Sequence, residues 1–224
     1  MLHKNSAILH VHRQLLKRSK LYYYNINMDS YEDDMLSELS KAEQEKAKEY
    51  TTTRHKKLYV IRHILLKELL MPYGTELYYD KLGKAKLKDS EIEFSISYSN
   101  DYFVVAIADN HMVGADIEYI MPLDNYKNMA EIFLTENEVE IFHKASPAKQ
   151  LKLFYYFWTA KEAFIKSIGQ GMEFDLQHVE FKLNNNQKLT VKSIINSYVA
   201  PENTLVEQLV IDNDVISIVT SDMP

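Results

Sequence analysis

Cysteine is absent from the 224 residues, which removes disulfides, thiolate catalysis and Cys-ligated zinc from consideration. No apolar run approaches the ~20 residues that a membrane-crossing helix needs, and the N-terminus lacks the basic, apolar and small-residue zones of a secretory signal. The expected compartment is therefore the cytoplasm, with no membrane partner. Positive charge is also in short supply. The formal net charge is −6, whereas a surface that tracks nucleic-acid phosphates carries a basic balance. Nucleic acid is not an expected partner, and any phosphate recognition must be local. Glycine and proline number five each. Neither a Gly-x-x-x-x-Gly-Lys-Ser/Thr nor a Gly-x-Gly-x-x-Gly loop occurs, which disfavours P-loop enzymes and dinucleotide-binding dehydrogenases. Core-forming residues, by contrast, are plentiful: 46% of the chain is apolar and 12% aromatic. At this length it can bury roughly 70% of its unfolded surface, in one domain or two small halves.

Periodicity orders the elements. Ala7–Val11 and Leu21–Tyr24 read as edge strands. His10 and His12 share one strand face but lack further ligands nearby, so they are read as ordinary histidines. Ser40-x-x-Glu43 is a capping box that opens a helix running toward Tyr50. After three threonines a second helix runs from Arg54 to Leu70, with Leu58, Ile61, Leu65 and Leu69 as its apolar stripe. Ile92, Phe94 and Ile96 alternate with Glu93, Ser95 and Ser97 in a half-buried strand. Phe103–Ile107 is a fully buried strand, Asp109-Asn110 turns it, and the segment that follows is expected to pair back against it. Thr135-x-x-Glu138 is a second capping box, and Pro147 is expected to end the helix before one that starts near Gln150. The tail alternates as strands over 179–183, 189–192, 205–211 and 215–220, with a polar turn at 184–187. Helices, strands, helices and strands in that order suggest two α+β halves meeting near residue 110.

Chemistry concentrates in two stretches. In Val113-Gly114-Ala115-Asp116-Ile117-Glu118, period-2 geometry sends Val113, Ala115 and Ile117 inward and turns Gly114, Asp116 and Glu118 to the other side. Gly114 is read as leaving room for an approaching ligand. In Trp158-Thr-Ala-Lys161-Glu162-Ala-Phe-Ile-Lys166, Trp158, Glu162, Ile165, Lys166 and Gly169 share one helix face. If Glu162 faces Asp116 and Glu118, three hard oxygen donors converge, the ligand type that Mg²⁺ prefers when it also holds substrate phosphates. The plain alternative is an amphipathic helix with a weak surface Glu–Lys pair.

Val-Gly-x-Asp-x-Glu followed some forty residues later by Trp-x-x-Lys-Glu-Ala-x-x-Lys resembles the paired signature of the 4′-phosphopantetheinyl transferases, in their surfactin-synthetase-activating (Sfp-type) branch. The resemblance runs from Arg54 to about Phe181. It implies an α+β fold of two similar halves related by a pseudo-twofold with the ligand cleft between them: 1–110 holding coenzyme A through a basic helix and loop, and 111–224 holding the metal strand and signature helix. The implied reaction transfers the 4′-phosphopantetheine of coenzyme A to a serine of an apo acyl or peptidyl carrier protein and releases adenosine 3′,5′-bisphosphate. Mg²⁺, or Mn²⁺, is the implied ion, on Asp116, Glu118 and Glu162, and a monomer is implied.

Glu162 and Lys166 are the implied catalytic groups, with Glu138 as an alternative base that its capping box explains equally well. Lys161 is implied to orient the site beside coenzyme A, and Trp158 to pack behind the helix. Arg54 and Lys57, at the head of the basic helix, are implied phosphate contacts, as is Lys84 in Lys81-Leu-Gly-Lys84-Ala, where the family carries Gly-Lys-Pro. Tyr98 and Ser99 stand in the family's Ser-His-Ser stretch, with a phenol where the family has an imidazole; a phenol donates a hydrogen bond but carries no positive charge. Two other classes stay open: a different Mg²⁺-dependent phosphotransferase or hydrolase acting on a coenzyme-like pyrophosphate, and a coenzyme A-binding module with weakened catalysis.

Overall fold

The computed structural model describes residues 8–74, 76–171, 173–184, 189–194 and 203–223. The first half comprises β1 (Ile8–Leu15), β2 (Lys20–Ile26), α1 (Lys41–Lys48), α2 (Thr53–Leu70), β3 (Leu77–Tyr79), β4 (Ala85–Leu87), β5 (Ile92–Ser99) and β6 (Tyr102–Asp109). The second comprises β7 (His111–Tyr119), α3 (Tyr126–Phe133), α4 (Glu136–Lys144), α5 (Pro147–Ser167), β8 (Val179–Leu183), β9 (Leu189–Ile194), β10 (Leu205–Ile211) and β11 (Asp214–Asp222). Side chains at 10 and 12, and residues 185–188 of the expected polar turn, lie outside the described residues.

From β2 onward the first half runs strand, helices, hairpin, hairpin, as the second does from β7, and each repeats one sheet connection. β2 pairs with β6 and β6 with β5, just as β7 pairs with β11 and β11 with β10, every pair antiparallel. The fold is α+β, made of two similar halves whose repeat leaves no trace in the residues themselves.

One expected pairing is not there. β7 does not form a hairpin with β6, because both edges of β6 are already taken by β2 and β5. The chain turns at Asn110, with φ at 56°, and β7 instead becomes an edge of the second sheet. The alternation of β6 shows why it lies at the centre of the molecule. Phe103, Val105 and Ile107 pack with Leu58, Ile61 and Leu65 of α2 in the first core. Val104, Ala106 and Ala108 face the other way, against Val113, Ala115, Ile117, Ile216 and Ile218 in the core that joins the halves. A strand buried on both faces reads as a continuous apolar run. In the second half, Phe154, Phe157 and Phe164 of α5 cover Val215 and Val219 of β11. Pro147 opens α5 rather than ending its predecessor, sitting in the first turn where a missing N–H costs nothing.

Candidate active site

β5 and β7 are the facing edges of the two sheets, and an unpaired edge must satisfy its polar groups some other way. Here serine hydroxyls reach across. Ser95 Oγ accepts from the Ala115 amide at 3.0 Å. Ser97 Oγ donates to Asp116 Oδ1 at 2.8 Å, and Ser99 Oγ donates to Glu118 Oε2 at 3.2 Å while accepting from the Tyr119 amide at 3.3 Å. A hydroxyl can accept and donate at once, so the alternate residues of β5 stitch the seam and orient both acids of β7. Ser97 was not singled out from the sequence; its signal was the Ser95/Ser97/Ser99 alternation opposite the apolar face.

α5 closes this seam from the second half. The space expected beside Gly114 belongs to that helix rather than to a ligand: a Cβ at Gly114 would stand 1.9 Å from the Ala163 carbonyl oxygen and 2.4 Å from the Ser167 amide nitrogen. Glycine is required because two backbones touch there. This contact sets α5 low over β7 and brings Lys166 Nζ to 2.7 Å from Asp116 Oδ1 and 3.1 Å from Ser97 Oγ.

Negative charge exceeds positive at this point. Burial, reinforced by Asp116 nearby, pushes Glu118 up to about 7, and burial with Asp116 also raises Glu162; Lys166 opposes both rises. Asp116 is 5% exposed, and its Oδ2 is buried with no hydrogen-bond partner. Among the described residues, no three His, Asp or Glu side chains are grouped so that they could hold a metal ion as they stand; the cation beside these acids is the Lys166 ammonium.

A cleft of 650 Å³ in the first half is walled by Tyr50, His55, Tyr59, Arg62, Tyr79 and Tyr98. The Arg62 guanidinium lies 3.9 Å above the Tyr98 ring, an attractive cation–π geometry, and one of its nitrogens donates to the Asn100 carbonyl at 2.7 Å. Burial lowers Arg62 to about 10, and its Nε is buried without a partner. Tyr79 and Ile96 also line a narrower pocket of 170 Å³ that reaches Ser95 and Lys166. The two pockets are thus neighbours that share Tyr79 and Ile96, and the narrower one reaches Lys166.

Several expected contacts are relocated. At 100° per residue, His55, Tyr59, Arg62 and Leu66 share the cleft face of α2. Lys57 is on the opposite side, 5.2 Å over the Tyr31 ring. Arg54 lies outside the cleft lining and pairs with Asp101. Lys161 is not a coenzyme contact. It is 0% exposed, and its ammonium is bound by Glu138 Oε2 at 2.8 Å and by the Leu176 and Val179 carbonyls at 2.9 and 2.7 Å. Glu138 is equally buried and accepts from the Thr135 and Phe181 amides at 2.8 and 2.7 Å. Burial raises Glu138 and lowers Lys161. With its oxygens engaged and no exposure, Glu138 cannot serve as a base and instead ties α4, α5 and β8 together. Lys84 borders the narrow pocket, yet its ammonium is engaged with Glu93 Oε2 at 2.7 Å rather than free for phosphate. Trp158 packs edge-on against Phe133, with ring centroids 5.1 Å apart, as a core residue.

The acids of the seam and α5 fall within residues 112–218, which match the family model described as the 4′-phosphopantetheinyl transferase superfamily. Over these residues the chain is similar to this superfamily. It is similar to the 4′-phosphopantetheinyl transferase gsp of Aneurinibacillus migulanus, with 36% identity over 132 residues, covering 59% of this chain and 54% of that protein. It is also similar to the 4′-phosphopantetheinyl transferase HetI of Nostoc sp., with 25% identity over 216 residues, 91% of this chain and 88% of that protein. The chain spans 54% of the length of gsp and 61% of that of a Synechocystis sp. relative, against 88% of HetI. Among solved structures, the holo-[acyl-carrier-protein] synthase of Thermotoga maritima aligns with a TM-score of 0.42 and 22% identity, covering 50% of this chain and 63% of that one. No helix among the described residues is long and apolar enough to cross a membrane.

Proposed function

We propose that this chain transfers the 4′-phosphopantetheine of coenzyme A to a serine hydroxyl of an apo acyl or peptidyl carrier protein, as a monomer in the cytoplasm, releasing adenosine 3′,5′-bisphosphate. The observation that carries the reading is the Ser97–Asp116–Lys166 network, whose lysine lines the narrow pocket that adjoins the aromatic cleft.

The donor set suits a hard divalent cation: the buried Asp116 Oδ2 lacks a partner, and Glu118 and Glu162, raised by burial and by Asp116, are oxygen donors of the kind Mg²⁺ takes. Asp116, Glu118 and Glu162 would hold it, with Mn²⁺ as an alternative, and the bound ion would supply charge neutralisation at the pyrophosphate.

This chain's own residues do the rest. The nucleotide end of coenzyme A enters the aromatic cleft, where tyrosine rings offer stacking faces and Arg62 offers a desolvated cation to a phosphate. This cation compensates for the phenol at Tyr98. The pyrophosphate then lies along the narrow pocket toward Lys166, whose ammonium stabilises charge on the phosphoryl oxygens. Attack by the carrier's serine oxygen on the phosphorus that bears the pantetheine forms one P–O bond and breaks the bond to the nucleotide's phosphate, which leaves with the electron pair. The serine proton is assigned to Glu162, which is half-buried with its proton affinity raised. Ser97 and Ser99 hold the acids of β7 in register.

Incubation with coenzyme A, Mg²⁺ and an apo carrier, followed by intact mass of the carrier, tests the reading. A gain of one phosphopantetheine is expected. Coenzyme A hydrolysis without carrier modification, or binding with neither, would overturn it in favour of a hydrolase or an inert binding module.

A further inference from the structure

The last turn of α5 carries Lys166, and its four terminal carbonyls, which the helix itself cannot satisfy, can be followed one by one. Phe164 O accepts from the Ile168 amide at 3.2 Å and from Ser167 Oγ at 2.7 Å. Ile165 O accepts from the Gln170 amide at 3.1 Å and Lys166 O from the Gly169 amide at 3.3 Å. With Gly169 at φ 65°, these last two bonds form the paired C-terminal cap that favours glycine in the left-handed region. The fourth carbonyl, Ser167 O, has no amide donor among the described residues. It accepts at 3.3 Å from Lys84 Nζ, a residue of the other half.

The same ammonium lies 2.7 Å from Glu93 Oε2 on β5 and 3.5 Å from the Val113 carbonyl at the start of β7. Its three N–H groups thus have three acceptors on three elements, and the Lys84 and Glu93 side chains are only 12% and 14% exposed. The loop that delivers Lys84 is itself fixed: Asp80 Oδ1 accepts from the Leu82 and Lys84 amides, both at 2.9 Å, and Gly83 takes the turn at φ 85°. A cation at a helix C-terminus is favoured by the helix dipole, and at this place it also spans the two halves.

We infer that Lys84 is a positioning residue: it clasps the C-terminal turn of α5 to β5 and β7 and thereby holds Lys166 over Ser97 and Asp116, rather than binding the coenzyme's phosphates. The inference rests on the proposed transfer reaction. A misplacement on the order of 1 Å at a reacting group costs up to about 100-fold in rate, so losing the clasp acts on turnover and leaves coenzyme affinity alone.

The test is steady-state transfer kinetics on the full chain at a temperature below its unfolding transition, with coenzyme A binding measured separately by calorimetry. Lys84→Met is expected to lower kcat by about 10- to 100-fold while KM and the calorimetric Kd for coenzyme A stay within about twofold, less than 0.5 kcal/mol. Lys84→Arg, which can still bridge the carboxylate and a carbonyl, is expected to recover most of that loss. Because Glu93 acts through the same ammonium, Glu93→Gln is expected to lower kcat, and the double variant to be no slower than Lys84→Met alone. A large rise in KM and Kd with kcat retained would overturn the inference by making Lys84 a phosphate ligand. A lowered unfolding temperature with wild-type kcat and KM would overturn it by making the clasp purely structural. Absence of transfer by the wild-type chain would count against the reaction itself, a separate failure from either of these.

Discussion

Gly114→Ala is the smallest change that tests how the site is assembled. The added Cβ would fall 1.9 Å from the Ala163 carbonyl oxygen, and an ordinary contact begins at 3.4 Å, so the backbones of β7 and α5 must separate by about 1.5 Å (3.4 − 1.9). The obstructing atoms are main-chain and no rotamer change relieves them. Overpacking of this kind costs about 1–3 kcal/mol, and at about 2–4 °C per kcal/mol for a chain of this size the melting temperature should fall by about 2–12 °C. The larger consequence is for the site. Glu162 and Lys166 ride on α5 while Asp116 and Glu118 ride on β7, so the separation opens the Lys166–Asp116 contact now at 2.7 Å. Transfer kcat should fall by about 100-fold at a temperature where circular dichroism shows the variant folded. A variant with wild-type kcat and melting temperature would refute the reasoning, because it would mean that α5 need not lie against β7 for the site to work.

Asp116→Asn should remove about 10²–10³ of the transfer rate while the melting temperature holds or rises, since one of three crowded acids has lost its charge; near-normal turnover would exclude Asp116 from the machinery. Lys161→Met breaks a buried ion pair and should cost about 3–5 kcal/mol in chemical denaturation, with calorimetric affinity for coenzyme A unchanged; weakened affinity would return Lys161 to the ligand site. Asp214 is fully buried between the halves, where Tyr23 donates to its Oδ2 at 3.3 Å, and burial raises it from 3.8 to about 6. Because the unfolded chain ionises first, this group's contribution to stability is full below pH 3.8 and is lost as pH climbs toward about 6, a change of up to roughly 3 kcal/mol. Asp214→Asn should therefore stabilise the chain at neutral pH and converge with wild type in acid, and parallel denaturation profiles across that range would contradict it.

Local features were legible because their causes are local. The capping boxes at Ser40 and Thr135 close as read, since both partners lie within one turn. The inward set Val113, Ala115 and Ile117 is buried, since alternation follows from strand geometry alone. The cleft face of α2 was within reach too: Arg62 shares the spacing of His55, Tyr59 and Leu66, and the same rule would have turned Lys57 away. The Lys161–Glu138 pair was not legible, because residues 23 apart on different helices meet only when α4 and β8 are both folded against α5.

The residues alone determined that Asp116 and Glu118 share a strand face, that Glu162 and Lys166 share a helix face, and that basic and aromatic groups gather in the first half. Tertiary packing decided what those groups are for. It set β7 beside β5 instead of β6, because an antiparallel strand has only two edges. It turned Gly114 into a seat for α5, and it drew Lys84 onto a helix end in the other half, because a helix-end carbonyl takes whichever donor the fold brings to it.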